Sequence, residues 1–132
     1  MKENLEILLL DDEAIVGNRL GPAIEKVGYD VEVFEDPKKA LNRINEKEFD
    51  IVVTDIMMGD VNGIQILEEV RKKSDKTKVI IITGYATVTL AREAMDKGAF
   101  DMIAKPFTPD DLRSVIAKAA DSLGYKKIIA KA

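Results

Sequence analysis

The chain contains no cysteine and no histidine among its 132 residues. Without cysteine there is no disulfide framework and no thiolate chemistry. Without histidine the commonest general base is missing, and no imidazole of this chain can carry a phosphoryl group. No block of basic residues stands out either. The 20 lysines and arginines face 24 aspartates and glutamates, a balance that argues against direct nucleic-acid binding. Lys126, Lys127 and Lys131 read as a solvated tail. No apolar run approaches the roughly 20 residues needed to span a bilayer, so membrane insertion is not expected. The opening stretch MKENLEILLLDDE runs into carboxylates and lacks a small-residue cleavage site, unlike a signal peptide. That leaves the cytoplasm as the expected location.

What is present suffices for one core. Hydrophobic residues make up 46% of the chain, and its length fits a single domain. Short apolar runs alternate with amphipathic ones. Ile7 to Leu10 reads as a strand buried on both faces. Val16, Leu20, Ala23, Ile24 and Val27 follow at helical spacing, and Gly28 stands where that helix would stop. GYDVEVF alternates polar and apolar residues, as an edge strand does. Asp36-Pro37 offers an N-cap and a first-turn proline for a second helix, continued by Ala40, Leu41 and Ile44. Ile51 to Val53 gives a third strand, and Gly63, Ile64, Ile66, Leu67 and Val70 a third helix. Val79 to Ile82 is the fourth strand, and Val88, Ala91, Ala94 and Met95 mark the fourth helix. Phe100 to Ala104 forms a fifth strand. Thr108-Pro109 starts a last helix carrying Leu112, Val115, Ile116 and Ala119. Strict strand–helix alternation predicts a parallel sheet covered by helices on both faces. Gly21-Pro22 falls inside the first helix, where proline removes a hydrogen bond, so a kink is expected near Asn18.

In such a sheet, functional groups collect beyond the carboxyl ends of the strands. The residues standing there are Asp11 and Asp12 after the first strand, Asp55 after the third, Thr83 after the fourth, and Lys105 after the fifth. Asp50 precedes its strand and belongs at the opposite edge. Singly, each has an ordinary explanation as a turn former, a cap or a surface group. Jointly, they place three carboxylates, a hydroxyl and an ammonium around one crevice. Carboxylates so close need a cation, or one must be protonated. An oxygen-only set suits a hard ion, Mg2+ first. A carboxylate is also a competent nucleophile toward phosphorus. Asp55, on a strand that should be central, is the best candidate.

The segments LLLDDE, DIMMGDVNG, IIITGYAT and GAFDMIAKPF resemble the receiver domain of two-component response regulators over nearly the full length. TGYATVTLAREAMDKGAFDMIAKPF is most similar to receivers of the sigma-54 activator type. The resemblance implies a flavodoxin-like α/β fold: a doubly wound five-stranded parallel sheet, order 2-1-3-4-5, flanked by five helices. Residues 1–124 would form the receiver domain and 125–132 a tail or helix end. It implies that Asp55 accepts a phosphoryl group from a partner histidine kinase. Asp12 would bind Mg2+ directly, with Asp11 helping partly through water and the backbone carbonyl of Met57 as a further ligand. Thr83 and Lys105 would contact the phosphoryl oxygens, and the Lys105-Pro106 bond would be cis. Met102 stands where the family usually has the Tyr or Phe of its switch, and Gly59 where it usually has Pro. Met57 and Tyr85 occupy positions that tune dephosphorylation.

The expected role is a signalling switch that modifies itself and turns over no separate metabolite. A changed surface around the fourth helix, fifth strand and fifth helix would be read by a downstream protein or output domain, or by a second copy in a homodimer. The alternative is a degenerate receiver that binds partners without phosphorylation. A phosphotransferase or phosphatase of the aspartyl-phosphate kind would carry D-x-D, but Asp55 is followed by Ile56 and Met57. A flavodoxin-like cofactor binder would need a phosphate loop after the first strand, where DDEAIVGN would repel phosphate.

Overall fold

Ile7, Leu8, Leu9 and Leu10 are all without solvent exposure, so this run has apolar neighbours on both of its faces. That burial follows from its place in the sheet. The computed structural model describes residues 4–56, 62–84 and 88–124, without the side chains of Ala14 and Val88. In chain order the elements are β1 (Glu6–Leu10), α1 (Ala14–Glu25), β2 (Asp30–Phe34), α2 (Pro37–Glu46), β3 (Ile51–Asp55), α3 (Gly63–Lys73), β4 (Lys78–Thr83), α4 (Val88–Asp96), β5 (Asp101–Ala104) and α5 (Pro109–Ser122). The five strands form one sheet in the order β2-β1-β3-β4-β5. Every pairing is parallel. The expected fold class, strand order and helix number are all present.

Alternate residues of the central strands feed two separate cores. Leu8, Leu10, Val52, Val79 and Ile81 pack with Ala40 and Ile44 of α2, Ile66, Leu67 and Val70 of α3, and Ala94 of α4. Ile7, Leu9, Ile51, Val53, Ile80 and Ile82 pack with Leu20 and Ile24 of α1 and Leu112, Ile116 and Ala119 of α5. A strand with a core on each side must be apolar at every position, which is why these runs show no alternation. β2 differs because it is an edge. Asp30 and Val33 are exposed there, and Glu32 pairs with Arg43 of α2 through two nitrogens at 2.8 and 2.9 Å. Charge along an edge discourages pairing with another chain.

Local chemistry sets the helix ends. The Asp36 side chain accepts the Lys38 N–H at 2.9 Å ahead of Pro37. Asn62 and Gln65 form a reciprocal capping box at the start of α3, as Thr108 and Asp111 do at α5. Gly28 and Gly98, with φ of 102° and 101°, follow the ends of α1 and α4, a left-handed conformation that glycine adopts without steric cost. α1 is one helix from Ala14 to Glu25 with Pro22 inside it, and the kink expected near Asn18 does not divide it. Its interior glycines have a packing reason. A Cβ on Gly17 or Gly21 would lie 2.7 or 2.9 Å from a methyl of Val33, so both residues let α1 ride close over β2.

Gly63 is the tightest approach near the functional edge. Its N–H donates to the Ile56 carbonyl at 2.9 Å. A Cβ there would sit 2.5 Å from the Asp55 carbonyl oxygen and 2.8 Å from the Ile56 Cα. Those are backbone atoms and cannot swing aside. Gly63→Ala is therefore expected to destabilise the protein by about 1–3 kcal/mol, read as a lower denaturant midpoint at unchanged slope. A variant as stable as wild type would show that α3 is not pinned to the end of β3.

Candidate functional site

Five side chains singled out from the sequence stand at one edge of this sheet. Asp11 and Asp12 follow β1, Asp55 closes β3, Thr83 closes β4, and Lys105 follows β5. Asp50 lies at the other edge, where its Oδ2 accepts the Glu6 N–H at 2.8 Å. Asp11 and Asp55 are 1% and 5% exposed, whereas Asp12 is open to solvent. One carboxylate oxygen from each of Asp11, Asp12 and Asp55 lies within 4.8 Å of the others. Thr83 is fully buried, and its carbonyl accepts the Lys105 N–H at 2.8 Å. The Lys105-Pro106 peptide bond is cis.

Lys105 supplies the positive charge. Its Nζ donates to Asp55 Oδ2 at 2.8 Å and to Glu13 Oε1 at 3.2 Å, and lies 3.4 Å from Asp11 Oδ2. Burial pulls the ammonium down, but the hydrogen bonds to Asp55 and Glu13 and the charges of Asp11 and Asp55 outweigh it and raise it. Asp11 moves the other way for a carboxylate. Burial pushes it up, the Glu13 N–H bonded to Oδ1 pulls it back, the Asp55 charge raises it further, and Lys105 lowers it. Its buried Oδ2 accepts no hydrogen bond among the described residues. Such an oxygen has lost water and has only the Lys105 ammonium, at 3.4 Å, in exchange, and a hard cation would satisfy it further. The donor set is all oxygen, so the residues fit Mg2+.

Two expected contributors, the Met57 carbonyl and Tyr85, lie outside the described residues, as do Gly59 and Asp60. Met102 is on β5 beside Ile81 of β4, half-buried against the core that also holds Ala94 and Leu90. Glu13 ends the motif LLLDDE, but nothing in its local sequence marks it for the site. Only the folded chain brings it to a lysine 92 residues away. No helix of the described residues is long and apolar enough to cross a membrane.

An acidic pocket with one lysine at the carboxyl edge of a 2-1-3-4-5 sheet places the molecule among the CheY-like receivers. Residues 7–117 match the response regulator receiver domain family, and the chain belongs to it. It is 36% identical over 123 residues to the regulatory protein AtoC of Escherichia coli (strain K12), covering 93% of this chain and 27% of that protein. The chain thus spans about a quarter of that relative. A CheY-like receiver domain protein from Methanospirillum hungatei JF-1 superposes with a TM-score of 0.88 at 29% identity, covering 92% of this chain and 98% of the other. The beryllofluoride-activated NtrC4 receiver domain dimer superposes with a TM-score of 0.83 at 29% identity, over 89% and 98% of the two chains.

The raised Asp11 carboxyl makes a signed prediction. A group whose folded value is raised binds more protons folded than unfolded. In ion-free buffer its contribution therefore falls as pH climbs from the ordinary carboxylate range through that raised value. Asp11→Asn keeps an acceptor for the Glu13 N–H and removes this slope. In chelator at neutral pH the variant is expected to melt a few degrees above wild type, with the gap closing in acid and narrowing in excess Mg2+. Thermal unfolding of both proteins across pH checks this, and a variant that melts lower at neutral pH contradicts it.

Proposed function

We propose that this protein is a phosphorylation-controlled switch of a two-component system, working in the cytoplasm. Asp55 is its phosphoacceptor. The observation that carries this reading is the Asp55 carboxylate, set at the end of a central strand and hydrogen-bonded to Lys105 at 2.8 Å. A carboxylate oxygen of Asp55 attacks phosphorus, an acyl phosphate P–O bond forms, and the P–N bond of a partner's phosphohistidine breaks. The imidazole leaves with the electron pair. The chain has no histidine of its own, in keeping with a donor on another protein.

Asp11, Asp12, Asp55 and the Met57 carbonyl are the residues that would hold Mg2+. The ion, when bound, neutralises charge on the transferring phosphoryl group. Lys105 and Thr83 hold the phosphoryl oxygens. Met102, on β5 opposite Ile81, stands where the family usually has an aromatic residue. Methionine can fill the same gap with little strain but lacks a ring and a hydroxyl, so the readout differs from the usual one. The output surface is the α4, β5 and α5 face. Met95 there is 47% exposed, whereas Ala94 is buried. A downstream protein, an output domain or a second copy of the chain reads that face. That the beryllofluoride-activated NtrC4 receiver domain is a dimer supports a second copy as one such reader.

Incubation with Mg2+ and acetyl phosphate tests the reading by intact mass. A gain of one phosphoryl group is expected, lost in Asp55→Asn and with EDTA. Lys105→Met should slow it by on the order of a hundredfold, the usual cost of removing one charge-stabilising donor. A protein that takes up no phosphoryl group under these conditions would instead be a phosphorylation-independent binding module. Met57 and Tyr85 shield the acyl phosphate in this proposal. The variant combining Met57→Asn and Tyr85→Ala should dephosphorylate faster, and an unchanged rate removes them from that role.

A further inference from the structure

Lys105 has three carboxylate partners, and they are not equivalent. Asp55 and Asp11 are buried and belong to the group that would hold the cation. Glu13 is different, because its side chain is 63% exposed and lies outside that group. It is also tied to the pocket through its backbone. Its N–H donates to Asp11 Oδ1 at 2.9 Å, and it is the N-cap residue of α1 in extended conformation. One residue therefore touches the buried carboxylate with its main chain and the ammonium with its side chain.

An exposed ion pair of this kind contributes little to stability. Its consequence lies in where it keeps the ammonium. In the ion-free protein Lys105 is the counter-ion of Asp55 and Asp11. Once those carboxylates turn their oxygens to a dication, the ammonium faces a like charge and loses the partners that hold it. Among the described residues, Glu13 is the one carboxylate paired with Lys105 that a cation does not claim.

We infer that Glu13 is a positioning residue. It retains Lys105 at the rim of the pocket when the cation displaces it from Asp55 and Asp11, so that cation binding and the lysine coexist. The inference rests on the Mg2+ reading of this site. It concerns only how the chain's own lysine is accommodated there.

Mg2+ binding measured by calorimetry on four proteins tests it: wild type, Glu13→Gln, Lys105→Met and the double variant. Gln keeps the size and an acceptor and removes the charge. With Lys105 present, Glu13→Gln should weaken Mg2+ binding roughly threefold to fivefold, within the range of an exposed ion pair. In Lys105→Met the same substitution should cost less than about twofold, because what remains is a screened field. The Cε–H resonances of Lys105 under saturating Mg2+ give an independent readout. They should be those of a held side chain in wild type and move toward free lysine in Glu13→Gln. The melting temperature of the ion-free protein should barely change. An equal loss of affinity in both backgrounds would reduce Glu13 to a general field effect and overturn the inference. Unchanged Lys105 resonances would do the same. Wild type that binds no Mg2+ overturns both this inference and the site reading beneath it, whereas wild-type binding without coupling overturns this one alone.

Discussion

One ammonium group stands against two buried carboxylates at the carboxyl edge of the sheet, and much else in the molecule answers to that arrangement. Placing Asp11 and Asp55 out of water is costly unless opposite charge and hydrogen bonds compensate. Lys105 compensates in part, at 2.8 Å from Asp55 and 3.4 Å from Asp11. The remainder shows in Asp11, whose carboxyl is held above its ordinary range chiefly by burial and whose Oδ2 is left without a hydrogen bond. A pocket so poised is incomplete by itself. It gains from any cation that fits, which couples the binding of an ion to the state of the lysine.

The two ends of the sheet have opposite characters. At the amino edge, several polar groups find partners within the chain. Asp50 accepts from Glu6, the Thr77 hydroxyl donates to the Phe49 carbonyl at 2.6 Å, and the Lys78 N–H donates to the Asp50 carbonyl at 3.0 Å. Arg71 of α3 reaches the Thr77 carbonyl, while its stem lies under Gly98, where a Cβ would come within 3.1 Å of it. Lys97, just past α4, pairs with Glu68 of α3 at 2.8 Å. These contacts tie α3, β4 and the end of α4 together at the end away from the acids. Between the two ends lie the two apolar layers. They hold the central strands in register and supply the stability against which charge can be concentrated at one edge.

Carboxyl-edge placement follows from topology. In a parallel sheet all strands end on the same side, so residues far apart in sequence arrive together there. Asp11, Asp55 and Lys105 meet because β1 and β3 are neighbours and β5 lies two strands further on. Gly63 lets α3 start directly against the backbone of Asp55 and Ile56. Packing and chemistry thus share the same few atoms at the end of β3.

Much of this was legible before folding. Ile51 to Val53 and Val79 to Ile82 are apolar at every position, which only strands covered on both sides require. The alternation in DVEVF marked the edge strand β2. The acids and the lysine could be placed at one edge because each follows or ends an apolar run. Other features had no local signal. Gly17 and Gly21 look like weak points in a helix until Val33 is set beneath them. The Asn62–Gln65 box emerges only once the start of α3 is placed. Residue types and their periodicity determined the strands, the helices and the identity of the charged groups, because those depend on interactions between near neighbours. Tertiary structure alone decided that Asp11 would be driven up by burial, that its Oδ2 would have only the Lys105 ammonium at 3.4 Å beside it, and that Glu13 would meet Lys105 across 92 residues. Desolvation and long-range charge depend on distances that exist only once the sheet has closed.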